Sequence, residues 1–181
     1  HLGLMAVGYY AILETALRAK KNLSIDEHKK YLGKMYSEFS KIAADNPGGW
    51  SEKDLSWKDI AMVSKKNTMQ ALPYNKFHCT SWNVNQASAM LLCSEEIADT
   101  LNIPQSKRIY PLASSEANHM IAAIQRPNLI KPIGLKLAAE YILNICRKNN
   151  IKPNTYDLYS CFPVAVQMFA CLLYTSDAAD E

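Results

Sequence analysis

The sequence predicts an α/β fold, with a helical first part and a layered α/β part behind it. Three observations carry that prediction. Apolar residues recur at three- and four-residue spacing through the opening stretch, which Pro47, Gly48, Gly49 and Pro73 interrupt. From Lys107 onward the chain reads strand, helix, strand, helix. Pro132 and Pro163 stand where helices begin, a position whose missing N–H has no helical partner anyway.

Taken in order, residues 4–20 place Leu4, Val7, Ala11, Glu14 and Arg18 along one helical face, with Leu13 and Leu17 beside them. Ser24 caps the next helix, and Asp26 and Glu27 lie in its first turn, where the helix dipole favours acids. Its apolar face runs Leu32, Met35, Phe39, Ile42, and Asn46-Pro47-Gly48-Gly49 ends it. A short helix follows Ser56, covering Trp57 to Ser64. Ser81 or Asn83 caps a helix expected from Val84 to Leu101, with Val84, Ala87, Leu91, Ala98 and Leu101 on one face. Lys107 to Leu112 is expected as an edge strand, because Pro111 cannot donate to a central ladder. Pro132 opens a helix that reaches Arg147 or Lys148 and stops at Asn149-Asn150. Tyr156 to Tyr159 reads as a strand, and Pro163 opens the last helix.

Composition limits what the chain does. With 49% hydrophobic and 20% charged residues it has an ordinary globular balance. A net charge of +3, spread along helical faces, argues against nucleic acid as a partner. No apolar run approaches the ~20 residues that span a bilayer. Cys79, Cys93, Cys146, Cys161 and Cys171 have neither zinc-site nor redox-pair spacing. They suit free thiols in a reducing compartment, so an intracellular location is expected, whether cytoplasmic, mitochondrial or peroxisomal. No metal-ligand cluster, glycine-rich phosphate loop or Ser/His/Asp set is evident, and no metal is expected. His28 and His119 sit in polar surroundings and read as surface histidines.

Two segments have the context for chemistry. In Tyr159-Ser160-Cys161-Phe162-Pro163 a strand ends and a helix begins, a place where α/β folds bind ligands and where a thiol pKa can fall. Cys161 and Phe162 packing a tight turn explains the same residues. In Phe77-His78-Cys79-Thr80-Ser81-Trp82-Asn83, hydroxyls and amides suit an amide-rich ligand, and helix capping by Ser81 or Asn83 is the other reading.

At these segments the sequence resembles thiolases. The likeness is strongest to the divergent thiolase-like group described as acetyl-CoA acetyltransferases and related to sterol-carrier-protein thiolases. It covers residues 1–170. The stretches that carry it are Glu27-His28, Phe39-Ser40-Lys41-Ile42-Ala43-Ala44-Asp45-Asn46-Pro47 with Trp50, Pro73-Tyr74-Asn75-Lys76, Trp82-Asn83-Val84-Asn85-Gln86-Ala87-Ser88-Ala89, and Asp157-Leu158-Tyr159-Ser160-Cys161-Phe162-Pro163-Val164-Ala165-Val166-Gln167. The resemblance implies a layered αβαβα fold of two similar halves, with a helical loop domain inserted in the first. Residues 1–76 resemble part of that loop domain, 77–103 the end of the first half and 104–170 the start of the second. Residues 171–181 resemble the conceptual translation of a sequencing-library adapter and are expected to be a non-native tail. With His1 at the start, the chain is expected to be an internal fragment.

The implied reaction is acyl transfer on acyl-CoA or 3-ketoacyl-CoA thioesters through a cysteine thioester, with coenzyme A as substrate and no bound cofactor. A non-catalytic acyl-CoA- or lipid-binding protein, or a partner subunit, is the alternative. Ser81 falls where thiolases have a serine near the pantetheine arm. Tyr159-Ser160-Cys161-Phe162 falls where thiolases have Asn-Glu-Ala-Phe and the sterol-carrier-protein type has His-Asp-Cys-Phe. The Asn or His there orients water in an oxyanion hole, so Tyr159 and Cys161 mark that region. A phenol is longer than either side chain and weakly acidic, which alters the usual water geometry. The nucleophilic cysteine and the catalytic histidine of the family match no residue here, so the fragment is expected to be inactive. By the same resemblance the full-length parent is expected to be a homo-oligomer.

Overall fold

The computed structural model describes residues 5–49, 51, 53–81 and 83–177. Trp50 and Trp82, both part of the sequence resemblance, lie outside them, as do residues 178–181 of the expected tail.

Helix α1 spans Ala6–Lys20 and buries Gly8, Ala11, Glu14 and Leu17. Asn22, in left-handed conformation at φ 53°, reverses the chain after it. Helix α2, Ile25–Asp45, starts in a reciprocal capping box: Glu27 N–H donates to Ser24 Oγ at 3.3 Å, and Ser24 N–H donates to Glu27 Oε2 at 2.8 Å. The same device, built from Ser56 and Asp59, starts α3 at Trp57–Ala61. Gly33 lets α3 lie against α2, because a Cβ at that position would sit 2.6 Å from the Trp57 carbonyl oxygen.

A short antiparallel hairpin follows, with β1 at Met69–Ala71 and β2 at Tyr74–Asn75. Two asparagines fasten it to α3. Asn67 Nδ2 donates to the carbonyls of Asp59, Ile60 and Met62 at 2.9–3.0 Å, and Asn75 Nδ2 donates to Ala61 O at 3.0 Å. These amides satisfy carbonyls that the end of a helix leaves without partners. Helix α4, Glu95–Thr100, is capped by Ser94, α5 spans Ile133–Lys148, and α6 spans Pro163–Asp177. Helix α1 packs on α6 and β1, and α5 packs on α6. Two apolar clusters join them. Ala11, Leu32, Tyr74 and Phe162 form one, and Leu17, Val164 and Met168 form the other.

The layered αβαβα half is not found among the described residues, whose one sheet is the two-stranded hairpin. Residues 107–112 and 156–159, expected as strands, join no sheet: Lys107 ends a 3-10 turn, and the others belong to no helix or strand. A strand is held by its ladder, and an unpaired one has no stable form in water. The helix expected from Val84 to Leu101 is reduced to α4 for a related reason. Leu91 is 96% exposed, so the first part of the stripe covers nothing, whereas Ala98 within α4 is buried, and short helices in water are marginal without a packed face. Helix α6 runs through Cys171 without a break.

Candidate functional site

The two segments singled out in the sequence meet. Thr80 donates from both its backbone N–H and its Oγ1 to the carbonyl of Cys161, each at 3.2 Å, across 81 residues of sequence. Segment 77–81 is delivered by β2 and the 3-10 turn Lys76–His78, and it is tied back by Phe77 N–H donating to Asn67 Oδ1 at 2.9 Å. The other segment is delivered by the N-terminus of α6. Its Phe162 ring is stacked between Tyr10, at 4.5 Å between centroids, and Tyr74, at 5.7 Å.

Together they border a cavity of about 1470 Å³. Its lining includes the apolar Phe39, Leu55, Ile60, Leu158, Val166 and Ala170, and the polar Tyr36, Lys76, Cys79, Thr80, Ser81, Asn83 and Ser160. An apolar lining with a few convergent polar groups is the usual build of a small-molecule site.

Several ionisable groups around the rim are held neutral at ordinary pH. Burial pushes the Cys79 thiol up to about 11. Burial also pushes Tyr36 up to about 12, against an interaction with the Ser160 side chain that lowers it. Tyr10 reaches about 12 through its hydrogen bond with Cys161 and then its burial. His78 is pulled down to about 4 by burial, and its Nδ1 accepts from Asn75 N–H at 3.0 Å.

Of the residues expected from the sequence, Ser81 is exposed and lines the cavity. Cys161 lies half-buried behind the rim, against the core around Tyr74. Tyr159 is 76% exposed and does not line the cavity. Ser160 between them does, with its Oγ donating to Phe162 O at 2.6 Å. Tyr36 was not among the residues expected from the sequence, and Thr80 and Ser160 were named there only as members of the two segments. For Thr80 and Ser160 the signal was present, since each adjoins a residue already singled out.

His28 requires a correction. Read as a surface residue, it is fully buried, with Nε2 2.8 Å from Glu14 Oε1. Its side of α2 faces α1, and the Glu14 carboxylate offsets the cost of burying an imidazole there. The visible sign was Glu14 itself, an acid in register with the apolar stripe of α1. Among the described residues no group of three or more His, Cys, Asp or Glu side chains is placed to hold a metal. No helix there is long and apolar enough to cross a membrane.

The fold is similar to that of a thiolase-like protein of known structure. The chain is similar to the crystal structure of a monomeric SCP2-thiolase-like protein type 1 from Mycobacterium smegmatis, with 27% identity and a TM-score of 0.77 over 90% of its length. It spans 36% of that structure. No family model matches the sequence, and no curated protein does. The relationship drawn from the sequence therefore stands at the level of a divergent thiolase-like relative. The homo-oligomer expected from the same resemblance does not stand, because the matched protein is described as monomeric.

Proposed function

We propose that residues 77–81 and Asn83, with residues 156–161, form one edge of an acyl-CoA site in a thiolase-like acetyl-CoA acetyltransferase. Its substrates are acyl-CoA or 3-ketoacyl-CoA thioesters, and its intermediate is a cysteine thioester. The observation that carries this reading is the double hydrogen bond from Thr80 to the Cys161 carbonyl, which joins the two segments to which the sequence resemblance assigns separate roles. Ser81 then offers its hydroxyl to the amides of the pantetheine arm. The turn of Tyr159 to Cys161 lies where donors would meet the charge that forms on the thioester oxygen as a thiolate adds to its carbon. On the same reading, residues 1–76 are loop-domain, 77–103 close the first half, 104–170 begin the second and 171–181 are non-native. No residue of this chain takes the part of nucleophile or catalytic histidine, so the chain alone is inactive.

The test is an assay of the whole protein that carries this segment. Acetoacetyl-CoA and longer 3-ketoacyl-CoA thioesters should be cleaved in a CoA-dependent way, leaving an acylated cysteine detectable by mass spectrometry. Absence of both turnover and acyl-cysteine sinks the proposal. The outward Tyr159 favours a second reading, a non-catalytic protein that binds acyl-CoA or lipid, or a partner subunit. Saturable acyl-CoA binding without either signal is its signature.

A further inference from the structure

The buried network around Glu14 has no part in the thioester reading, yet it joins the elements that carry the cavity rim. Glu14 is fully buried on α1. Its carboxylate accepts from Tyr74 Oη on β2 at 2.7 Å and from Gln167 Nε2 on α6 at 2.8 Å. It faces His28 Nε2 on α2 at 2.8 Å. Lys21 Nζ donates to the other end of the Gln167 amide, also at 2.8 Å. Helix α2, strand β2 and helix α6 thus converge on one side chain of α1.

Two of those elements lead straight to the rim. Strand β2 runs into the turn that delivers Thr80, and α6 begins just behind Cys161. The Tyr74 ring supports Phe162 while its hydroxyl bonds Glu14. Tyr74 Oη and Gln167 Nε2 both donate to Glu14, one to each carboxyl oxygen. A glutamine of the same shape keeps one acceptor oxygen and places an N–H where the other stood, so at least one of these two bonds loses its acceptor.

We infer that Glu14 is a positioning residue for the Thr80–Cys161 rim. By holding Tyr74 and Gln167 together, it fixes β2 and α6 at the separation that lets Thr80 reach the Cys161 carbonyl. Its functional meaning rests on the acyl-CoA reading of that rim, but its structural content does not.

Native-state hydrogen exchange on the full chain tests it, comparing wild type with Glu14→Gln. Exchange of the Thr80 amide should rise at least about tenfold, the loss of roughly one charge-assisted hydrogen bond, while central amides of α3 and α5 stay within about twofold. A uniform rise across all helices, or an unchanged Thr80 amide, overturns the inference. Should Glu14→Gln fail to fold, Lys21→Met removes the outer bond to Gln167, together with a cation–π contact on the Tyr31 ring at 4.2 Å, and leaves Glu14 in place. A local rise of about threefold at Thr80 is then expected, and no rise overturns the inference. Pantetheine titrated into the same samples separates the two claims. It should shift the Ser81 amide in wild type, and Glu14→Gln should need about tenfold more of it. Equal affinity counts against Glu14. A wild type indifferent to pantetheine counts against the acyl-CoA reading and leaves the exchange result to decide on Glu14.

Discussion

Residues 6–80 and residues 83–131 carry similar apolar content and meet opposite fates. In the first region Leu32, Ile60 and Tyr74 are fully buried, and the polar groups buried with them are largely bonded: Asn67 to three carbonyls, Glu14 to three side chains. In the second, Leu91, Ile109, Met120 and Ile124 are each more than 90% exposed. The difference is one of cover. An apolar stripe selects a helix or a strand only when another surface lies against it, since the stripe's stability comes from burial and not from its spacing.

The sharpest way to break the first region is Tyr74→Ala. That change removes a ring packed on Phe162 and the hydroxyl bonded to Glu14. It should cost about 3–5 kcal/mol in urea unfolding, as large aromatic truncations do. Tyr74→Phe keeps the ring, orphans the carboxylate contact and should cost about 1–3 kcal/mol. A Tyr74→Ala cost below about 1 kcal/mol would mean that the hairpin is not part of the core, and the contrast between the regions would fail.

Local chemistry explains which features were legible in the sequence. Ser24 with Glu27 and Ser56 with Asp59 are complete signals within four residues: helices were expected to follow Ser24 and Ser56, and the structure starts both with capping boxes. Pro163 and the Asn149-Asn150 stop likewise act on their own turns, and α5 and α6 follow the expected bounds closely at those ends. The strands at 107–112 and 156–159 were not decided locally, because a strand needs a neighbour. The hairpin of β1 and β2 was missed because strands of three and two residues leave no alternation to read. Candidate residues followed the same division. Thr80 and Ser160 lay beside the chosen positions, whereas Tyr36 reaches the cavity from α2 through tertiary packing alone.

The second way to probe the packed region is pH. His78 is nearly fully buried, and its pKa is lowered from 6.5 to about 4 by burial, with His28 adding to the effect and Glu14 opposing it. The unfolded chain therefore takes up a proton near pH 6.5 that the folded chain refuses until about pH 4. Stability is at its full value above pH 6.5 and falls as pH drops through that window, by roughly 3 kcal/mol at most. His78→Leu should be less stable at pH 7.5, because Asn75 N–H loses its acceptor, but its urea midpoint should vary less between pH 7 and 4.5. Parallel pH profiles for the two proteins would show that His78 is not held neutral by the fold.

The smallest effect is the most telling about the second region. Leu91→Ser and Ile124→Ser replace apolar side chains that are each 96% exposed. Neither change opens a cavity, and neither removes a contact with the core, so each should move the unfolding free energy by less than about 0.5 kcal/mol. Solubility should improve, because both substitutions thin an exposed apolar surface. The pair of serine variants thus separates apolar content from apolar burial in one chain. A loss above about 1 kcal/mol at either position would mean that 83–131 is covered in solution by something that packs on Leu91 or Ile124. The two regions would then differ in their partners and not in the strength of their cores.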